Sequence, residues 1–81
     1  MKTPRDLSGA DLVRAFKKLD YVFVRQRGSH ATLTTQRDGE FHVAIPMHGF
    51  IKIGTLNDIL NGSAEHHGMT RPELIEFLEL S

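Results

Sequence analysis

The architecture of this chain follows from residues 21–45, which read YVFVRQRGSHATLTTQRDGEFHVAI. Residues 21–24 are aromatic or β-branched, which predicts a first strand that ends at Gly28. Apolar and polar side chains alternate over residues 30–35 and again over 41–45, and this period of two predicts two further strands. Short connections allow only antiparallel neighbours, so the stretch predicts a three-stranded antiparallel sheet.

The ends of the second and third strands are marked by turn-forming residues. Arg37-Asp38-Gly39 predicts the hairpin turn between these strands, because glycine tolerates a positive φ. Pro46 ends the third strand, since proline has no backbone N–H to donate to a sheet. The alternation places Ala31 and Leu33 on the core face, so His30 is expected to point away from the core.

Helical patterns flank the predicted sheet. Ser8 and Asp11 form the Ser-x-x-Asp pattern of a helix N-terminus, which predicts a first helix beginning at Ser8. Its apolar face comprises Leu12, Val13, Phe16 and Leu19. A loop is expected at residues 47–53, followed by a second helix with Thr55 and Asp58 as its capping pair.

The second helix has two candidate ends, near Gly62 or near Gly68. A short last helix is predicted from Thr70, which forms a capping pattern with Glu73 and is followed by Pro72 in the first turn. Its apolar stripe comprises Leu74, Ile75, Phe77 and Leu78. The predicted fold class is α+β: a helix, a three-stranded antiparallel sheet, a second helix and a short C-terminal helix.

Length and composition narrow the class of protein. With 81 residues, we expect a single domain over 1–81, with a helix–sheet–helix core at 8–60 and the C-terminal helix at 70–80. The absence of cysteine excludes a disulfide framework and a thiolate zinc site. Short apolar stretches and a charged N-terminus containing Pro4 predict a cytoplasmic protein without membrane association.

The net charge of zero hides an uneven distribution. Residues 14–37 carry six basic side chains and one acidic side chain, whereas residues 56–81 carry five acidic side chains and one basic side chain. Basic and acidic surfaces of this kind attract and repel polyanions, respectively. Two ordinary solvated surfaces are the alternative interpretation.

His30 follows Gly28-Ser29 and lies close in sequence to Arg25 and Arg27. Metal-free RNA cleavage needs a base for the 2′-hydroxyl, positive charge for the phosphate oxygens and a proton source for the leaving oxygen. Histidine, with an ordinary pKa of roughly 6.5, takes up and returns a proton at neutral pH. His30 is therefore the candidate catalytic base, and Gly28 lets an RNA backbone approach closely. The candidate phosphate contacts are Arg25, Arg27 and Ser29. A surface histidine without a catalytic role is the alternative.

Four further residues are candidate RNA contacts: Lys17, Lys18, His48 and Lys52. His48 could donate a proton to the leaving group, or it could only stabilise a turn. Lys52 precedes the second helix, whose positive N-terminal end favours phosphate, although a solvated lysine explains it equally well. His42, His48, His66 and His67 lack the i, i+4 spacing of a helical metal site, so neither a metal nor another cofactor is expected, and no small-molecule ligand.

Residues 21–30, the Pro46-x-His48 loop and Gly54-Thr55-Leu56-x-x-Ile59-Leu60, taken in this order, resemble the HicA family of mRNA interferase toxins. The resemblance covers roughly residues 8–60. It implies a fold similar to the double-stranded RNA-binding domain, cleavage of mRNA during translational arrest and silencing by a cognate HicB antitoxin. It also implies that His30 is the essential residue, because it corresponds to the essential histidine of the family. Asp20 stands where the family usually has glycine, and aspartate can also adopt a left-handed turn.

Two other classes of function remain open from the sequence. A helix–sheet–helix chain could be a non-catalytic RNA-binding module that recognises duplex shape. It could also be a protein-interaction subunit whose acidic C-terminal half meets a basic partner. The resemblance favours a toxin ribonuclease with mRNA as substrate and an antitoxin as its protein partner.

Overall fold

The computed structural model describes residues 6–80, and its elements follow the predicted order. The helices are α1 (Gly9–Phe16), α2 (Ile53–His66) and α3 (Arg71–Phe77), and the strands are β1 (Val22–Arg27), β2 (His30–Thr35) and β3 (Phe41–Pro46). A single 3₁₀ turn, Lys17–Leu19, extends α1. Asp20 ends this turn in the left-handed conformation, with a φ of 63°, as the sequence allowed.

The three strands form one antiparallel sheet in the order β1-β2-β3. The register of β2 and β3 is unbroken, from the pair His30 and Pro46 to the pair Thr35 and Phe41. Alternate residues of β2 are buried against the helices, and Ala31 and Leu33 are among them. The α+β fold is therefore confirmed, and its element order is consistent with the double-stranded RNA-binding-domain-like arrangement.

Strand β1 is an edge strand that the helices leave uncovered. All six of its residues are exposed, and Val22, Phe23 and Val24 keep 59%, 56% and 52% of their surface. Val24 also forms an irregularity in the pairing with β2, since the register shifts between Phe23 and Arg25. The run of apolar residues correctly predicted a strand, but it did not predict that the strand would be exposed.

The core is built mainly from the helices and the inner face of the sheet. Its fully buried large side chains include Leu12, Phe16, Leu19, Leu33, Ile45, Leu56, Leu60, Leu74, Ile75 and Leu78. Every helix contributes to this list, so α3 belongs to the same core as the sheet. Phe77 was wrongly predicted to face inward, and it is 41% exposed. The helical period of 3.6 places Phe77 to one side of the buried stripe formed by Leu74, Ile75 and Leu78.

Helix α1 runs along the sheet from one end of β2, called the His30 end, to the other, called the Thr35 end. At the His30 end, defined by residues 27–30 and 46–48, Gly9 lies so close to β3 that an added Cβ would be 2.2 Å from the Pro46 carbonyl oxygen. At the Thr35 end, the Thr35 hydroxyl donates a hydrogen bond to the Leu19 carbonyl, at 2.8 Å. The start and the end of α1 therefore lie at opposite ends of β2.

The bounds of α2 differ from the prediction at its start. The N-cap is Lys52, without a side-chain hydrogen bond, so the predicted cap at Thr55 with Asp58 is wrong. A hydrogen bond from the Leu56 N–H to the Lys52 carbonyl, 2.9 Å long, forms the first turn earlier in the chain.

Of the two candidate ends of α2, the structure has the one at Gly68. The Gly68 N–H bonds the Glu65 carbonyl and the Met69 N–H bonds the Ala64 carbonyl, which together form a Schellman motif. No helix in the described part of the chain is long and apolar enough to span a membrane.

Candidate functional site

A two-residue turn, Gly28-Ser29, joins β1 to β2 and places His30 at the start of the central strand. Gly28 has a φ of +59°, which suits the first central residue of a type II′ hairpin turn. The Gln26 side chain donates a hydrogen bond to the Gly28 carbonyl, at 3.1 Å, and stabilises the turn. His30 is exposed, as the alternation predicted, and its cross-strand partners are Arg27 in β1 and Pro46 in β3.

Two arginines share the exposed face of the sheet with His30. Arg27 pairs with His30 and Arg25 pairs with Thr32, and directly opposed residues of an antiparallel pair project from the same face. Both arginines are exposed, and neither forms an ion pair with any residue from 6 to 80. The histidine is therefore bordered by cationic side chains that remain available to an anionic ligand.

The loop after β3 is fixed to the same end of the sheet. The Met47 N–H donates a hydrogen bond to the Ser29 carbonyl, at 2.6 Å, which ties this loop to the turn before His30. His48 is the next residue and is exposed. The Ile51 N–H bonds the Leu7 carbonyl at 2.8 Å, and Lys52 follows as the exposed N-cap of α2. The fold therefore connects the His48 and Lys52 loop directly to the His30 turn.

Lys17 and Lys18 lie elsewhere. They form the turn that leads to Leu19, whose carbonyl accepts the Thr35 hydroxyl at the opposite end of β2. The Lys18 ammonium also forms an ion pair with Glu79 after α3. Because β2 has six residues at about 3.3 Å per residue, these lysines are separated from His30 by most of the length of the sheet. The structure does not bring them together with the other candidate residues.

A buried polar network, not predicted from the sequence, joins α2 to the sheet at the Thr35 end. The His67 side chain is fully buried, and its Nδ1 donates a hydrogen bond to Asp38 Oδ2 at 2.9 Å. Its Nε2 lies 3.1 Å from the Tyr21 hydroxyl, which lies 2.8 Å from Ser63 Oγ. Burial raises the pKa of Tyr21, and the His67 hydrogen bond lowers the pKa of Asp38. Ser63 is inaccessible, so this network is structural and does not form a reactive site.

The remaining histidines also have protein partners. His66 stacks on Phe41, with ring centroids 4.4 Å apart, and His42 forms an ion pair with Glu40 at 2.9 Å. Within residues 6–80, no group of three or more His, Asp or Glu side chains is arranged to hold a metal ion.

Phe50 was not predicted as a site residue from the sequence, but it lies in the loop tied to the His30 turn and keeps 67% of its surface exposed. Its one sequence signal is an aromatic residue between Gly49 and Ile51 in a predicted loop. The sequence does not show which of the two neighbouring apolar residues, Phe50 or Ile51, enters the core. In the structure it is Ile51, which keeps only 6% of its surface exposed.

A family model described as the HicA toxin of bacterial toxin-antitoxin systems matches residues 9–69, which cover α1, the whole sheet and α2. A search of curated proteins found no match. The family match spans well over half of the chain, including the turn before His30 and the loop after Pro46. The chain therefore belongs to the HicA family of toxins from bacterial toxin–antitoxin systems.

Proposed function

We propose that this toxin is an endoribonuclease that cleaves mRNA in the cytoplasm and so arrests translation. The observation that carries the proposal is the exposed His30, held between Arg27 and the loop after β3, with Arg25 on the same face of the sheet. Neither arginine is neutralised by a carboxylate within the described residues, so their charge is available to phosphate.

In the proposed reaction, His30 acts as the general base. It removes the proton of the ribose 2′-hydroxyl, and the 2′-oxygen attacks the adjacent phosphorus. The bond from phosphorus to the 5′-oxygen breaks, and that oxygen takes up a proton from His48 or from solvent, while the proton that His30 removed returns to solvent. The products are a 2′,3′-cyclic phosphate and a 5′-hydroxyl. Arg25 and Arg27 stabilise the charge that develops on the phosphate oxygens, and the step needs no metal ion.

The other candidate residues have binding roles in this proposal. Gly28 leaves open space where a side chain would be, because an added Cβ would meet nothing within 4 Å. Ser29 offers a hydroxyl to phosphate, and His48 and Lys52 extend the contact surface along the loop tied to Ser29. Lys17 and Lys18 would contact only an RNA long enough to reach the Thr35 end.

Membership of a toxin–antitoxin family implies a cognate antitoxin. We propose that this partner is a HicB-type protein whose acidic surface covers His30 or the arginines beside it. Charge complementarity of this kind favours fast and specific association. A complex of the two proteins in which His30 and both arginines stay accessible to RNA would contradict this arrangement.

The test of the proposed activity compares His30→Ala with His42→Ala. Both histidines are exposed on the same face of the sheet, since Thr34, the partner of His42, lies on the same side of β2 as His30. We expect His30→Ala to abolish both growth arrest and RNA cleavage, and His42→Ala to retain them. Excess EDTA should leave wild-type cleavage unchanged. Equal toxicity of wild type and His30→Ala would remove His30 from the mechanism, and inhibition by EDTA would exclude a metal-free route.

The fold also supports a second candidate, a non-catalytic RNA-binding module, because its elements are arranged as in double-stranded RNA-binding domains. In that case the wild-type protein would bind RNA without forming any product, and His30→Ala would change only the affinity.

A further inference from the structure

We propose that Phe50 stacks on an unpaired nucleobase of the RNA bound at His30, so that the toxin requires a single-stranded segment there. This inference rests on the proposed ribonuclease function and adds a substrate class to it. The substrate would be RNA whose bases are free to leave the stack, since a base paired within a duplex presents no free face to an aromatic ring.

The exposure of Phe50 needs an explanation. At 67%, it is the most exposed large apolar side chain in the described part of the chain, above Phe23 at 56%. Like Phe23, it makes none of the ring contacts found for Phe16, Phe41 or Phe77. The next residue, Ile51, is buried in the core. The loop therefore anchors itself through Ile51 and presents the neighbouring ring to solvent.

The backbone of Phe50 is held in place. Phe50 forms an antiparallel bridge with Ser8, and the Ile51 N–H bonds the Leu7 carbonyl at 2.8 Å. Ser8 is itself held as the N-cap of α1, where its side chain accepts a hydrogen bond from the Asp11 N–H. Because this backbone is already held, only the ring itself has to be ordered when a ligand stacks on it, which limits the loss of conformational entropy.

Chain length limits the distance between Phe50 and His30. His30 and Pro46 are cross-strand partners with Cα atoms about 5 Å apart, and each residue from Pro46 to Phe50 adds at most about 3.8 Å. The Cα atoms of His30 and Phe50 are therefore no more than about 20 Å apart. Because nucleotides advance about 3.4 Å each when stacked and further when unstacked, about six nucleotides or fewer span this distance. One short RNA segment can reach both residues.

The local charge favours nucleic acid over an apolar protein surface. The segment 47–55 contains His48 and Lys52 and has no carboxylate. Of the two carboxylates on the adjoining segment 6–11, Asp11 forms an ion pair with Arg14 at 2.5 Å and Asp6 is exposed, so the positive charge near Phe50 lies on its own loop. An exposed ring beside the cationic side chain of Lys52 is the combination found where proteins bind single-stranded nucleic acid.

The absence of tryptophan from the chain provides a direct test. Phe50→Trp in the His30→Ala background gives a single fluorescent reporter in a protein that leaves its RNA uncut. We expect titration with a single-stranded oligoribonucleotide to quench this fluorescence, and titration with the same sequence as a duplex to leave it unchanged. The matched control is Phe77→Trp in the same background, because Phe77 is also partly exposed but packs near Arg37. We expect no quenching for this control.

Binding measurements provide the second readout. Phe50→Ala should weaken binding of the single-stranded oligoribonucleotide by about 5- to 150-fold, the effect expected for loss of one base stack, and Phe50→Tyr should retain it. Phe77→Ala should bind like the parent. Because Phe50 is mostly solvent-exposed, we expect Phe50→Ala to keep the parent's circular dichroism and melting temperature.

Three outcomes would overturn the inference. They are unchanged RNA affinity in Phe50→Ala, equal quenching by duplex and single strand, and loss of antitoxin binding in Phe50→Ala without loss of RNA binding. In each case wild-type cleavage would still support the ribonuclease. A wild-type protein that neither binds nor cleaves RNA would instead overturn the proposed function, together with the inference that rests on it.

Discussion

Gly28 and Ser29 turn the chain so tightly that Arg27 and His30 become direct cross-strand partners. The cross-strand pairing, and not sequence proximity alone, places these two side chains next to each other. Partners across an antiparallel pair share one face of the sheet, so the imidazole and the guanidinium both project away from the core. The hydrogen bond from Met47 to Ser29 then brings the second loop to the same turn.

The two groups of basic residues should differ in their contribution to RNA binding. Arg27→Ala should weaken binding of a short oligoribonucleotide and reduce the slope of log affinity against log salt by about one, as expected for loss of one phosphate contact. Lys17→Ala, at the Thr35 end, should change neither quantity for the same short RNA. Filter binding at several salt concentrations measures both. An equal loss in the two variants would mean that the RNA does not centre on His30.

At the residue scale, the sequence predicted the outward orientation of His30 because strand alternation is a local property. The positions of Lys17 and Lys18 could not be predicted, since they depend on how α1 packs across the sheet. The exposure of Phe50 was equally hidden, because it depends on which of two adjacent apolar residues enters the core.

At the scale of elements, the close approach of α1 to β3 supports the loop that carries His48. Gly9, the first residue of α1, leaves no room for a side chain, because an added Cβ would lie 2.2 Å from the Pro46 carbonyl oxygen and 2.8 Å from Met47 Sδ. The carbonyl belongs to the backbone of a paired strand and cannot move independently. The helix and the loop are therefore positioned together.

Gly9→Ala should destabilise the protein by about 1–3 kcal/mol, as expected when a tightly packed contact is overfilled. Gly62→Ala is the matched control, because its added Cβ would meet only Phe41 Cζ at 3.9 Å, and alanine favours the helix interior. We expect Gly62→Ala to be stabilised by about 0.5–1 kcal/mol. Urea unfolding measures both free energies. A Gly9→Ala protein as stable as the wild type would show that α1 approaches β3 less closely than described.

The sequence correctly predicted the helix ends that depend only on a few neighbouring residues. The capping boxes at Ser8 and Thr70 were predicted and are present, because each requires only four consecutive residues. The same pattern at Thr55 predicted a cap that is wrong. The helix begins earlier, with Lys52 as its N-cap directly after the buried Ile51. Helix α2 ends at Gly68, where the Schellman hydrogen bonds form. The sequence pattern could not distinguish this end from one at Gly62.

In the molecule as a whole, the two ends of the sheet differ in the ion pairing of their basic side chains. Arg27 at the His30 end and Arg25 on the same face have no ion-pair partner among residues 6–80. At the Thr35 end, Lys18 pairs with Glu79 and Arg37 pairs with Asp20. The sequence predicted a basic segment but not this division. We infer that the Thr35 end mainly stabilises the fold and that the His30 end binds the ligand.

Stability should depend on pH through carboxylates at helix starts and in ion pairs. Hydrogen bonds from Ser8 lower the pKa of Asp11 below its ordinary 3.8, and those from Thr70 lower the pKa of Glu73 below 4.5. A lowered pKa in the folded state stabilises the protein above the unfolded value, and this contribution is lost as pH falls through the folded value. The melting temperature should therefore fall as the pH is lowered below about 4.

Asp11→Asn tests this sign. The variant should melt at a lower temperature than the wild type at pH 7, and the difference should shrink as the pH is lowered towards 2 and the wild-type carboxyl takes up a proton. Circular dichroism melting at both pH values measures it. A difference that is the same at both pH values would mean that the Asp11 charge contributes nothing to folding.

The chemical groups at the ends of the cut RNA test metal-free cleavage by His30 directly. Purified toxin is incubated in EDTA with an oligoribonucleotide and with the same oligonucleotide carrying a 2′-deoxy sugar on the 5′ side of the cut, and the fragments are analysed by mass spectrometry. We predict a 2′,3′-cyclic phosphate and a 5′-hydroxyl from the first substrate, no cut at that position in the second, and no products from His30→Ala. Fragments ending in a 3′-hydroxyl and a 5′-phosphate, or full cleavage by His30→Ala, would contradict the account.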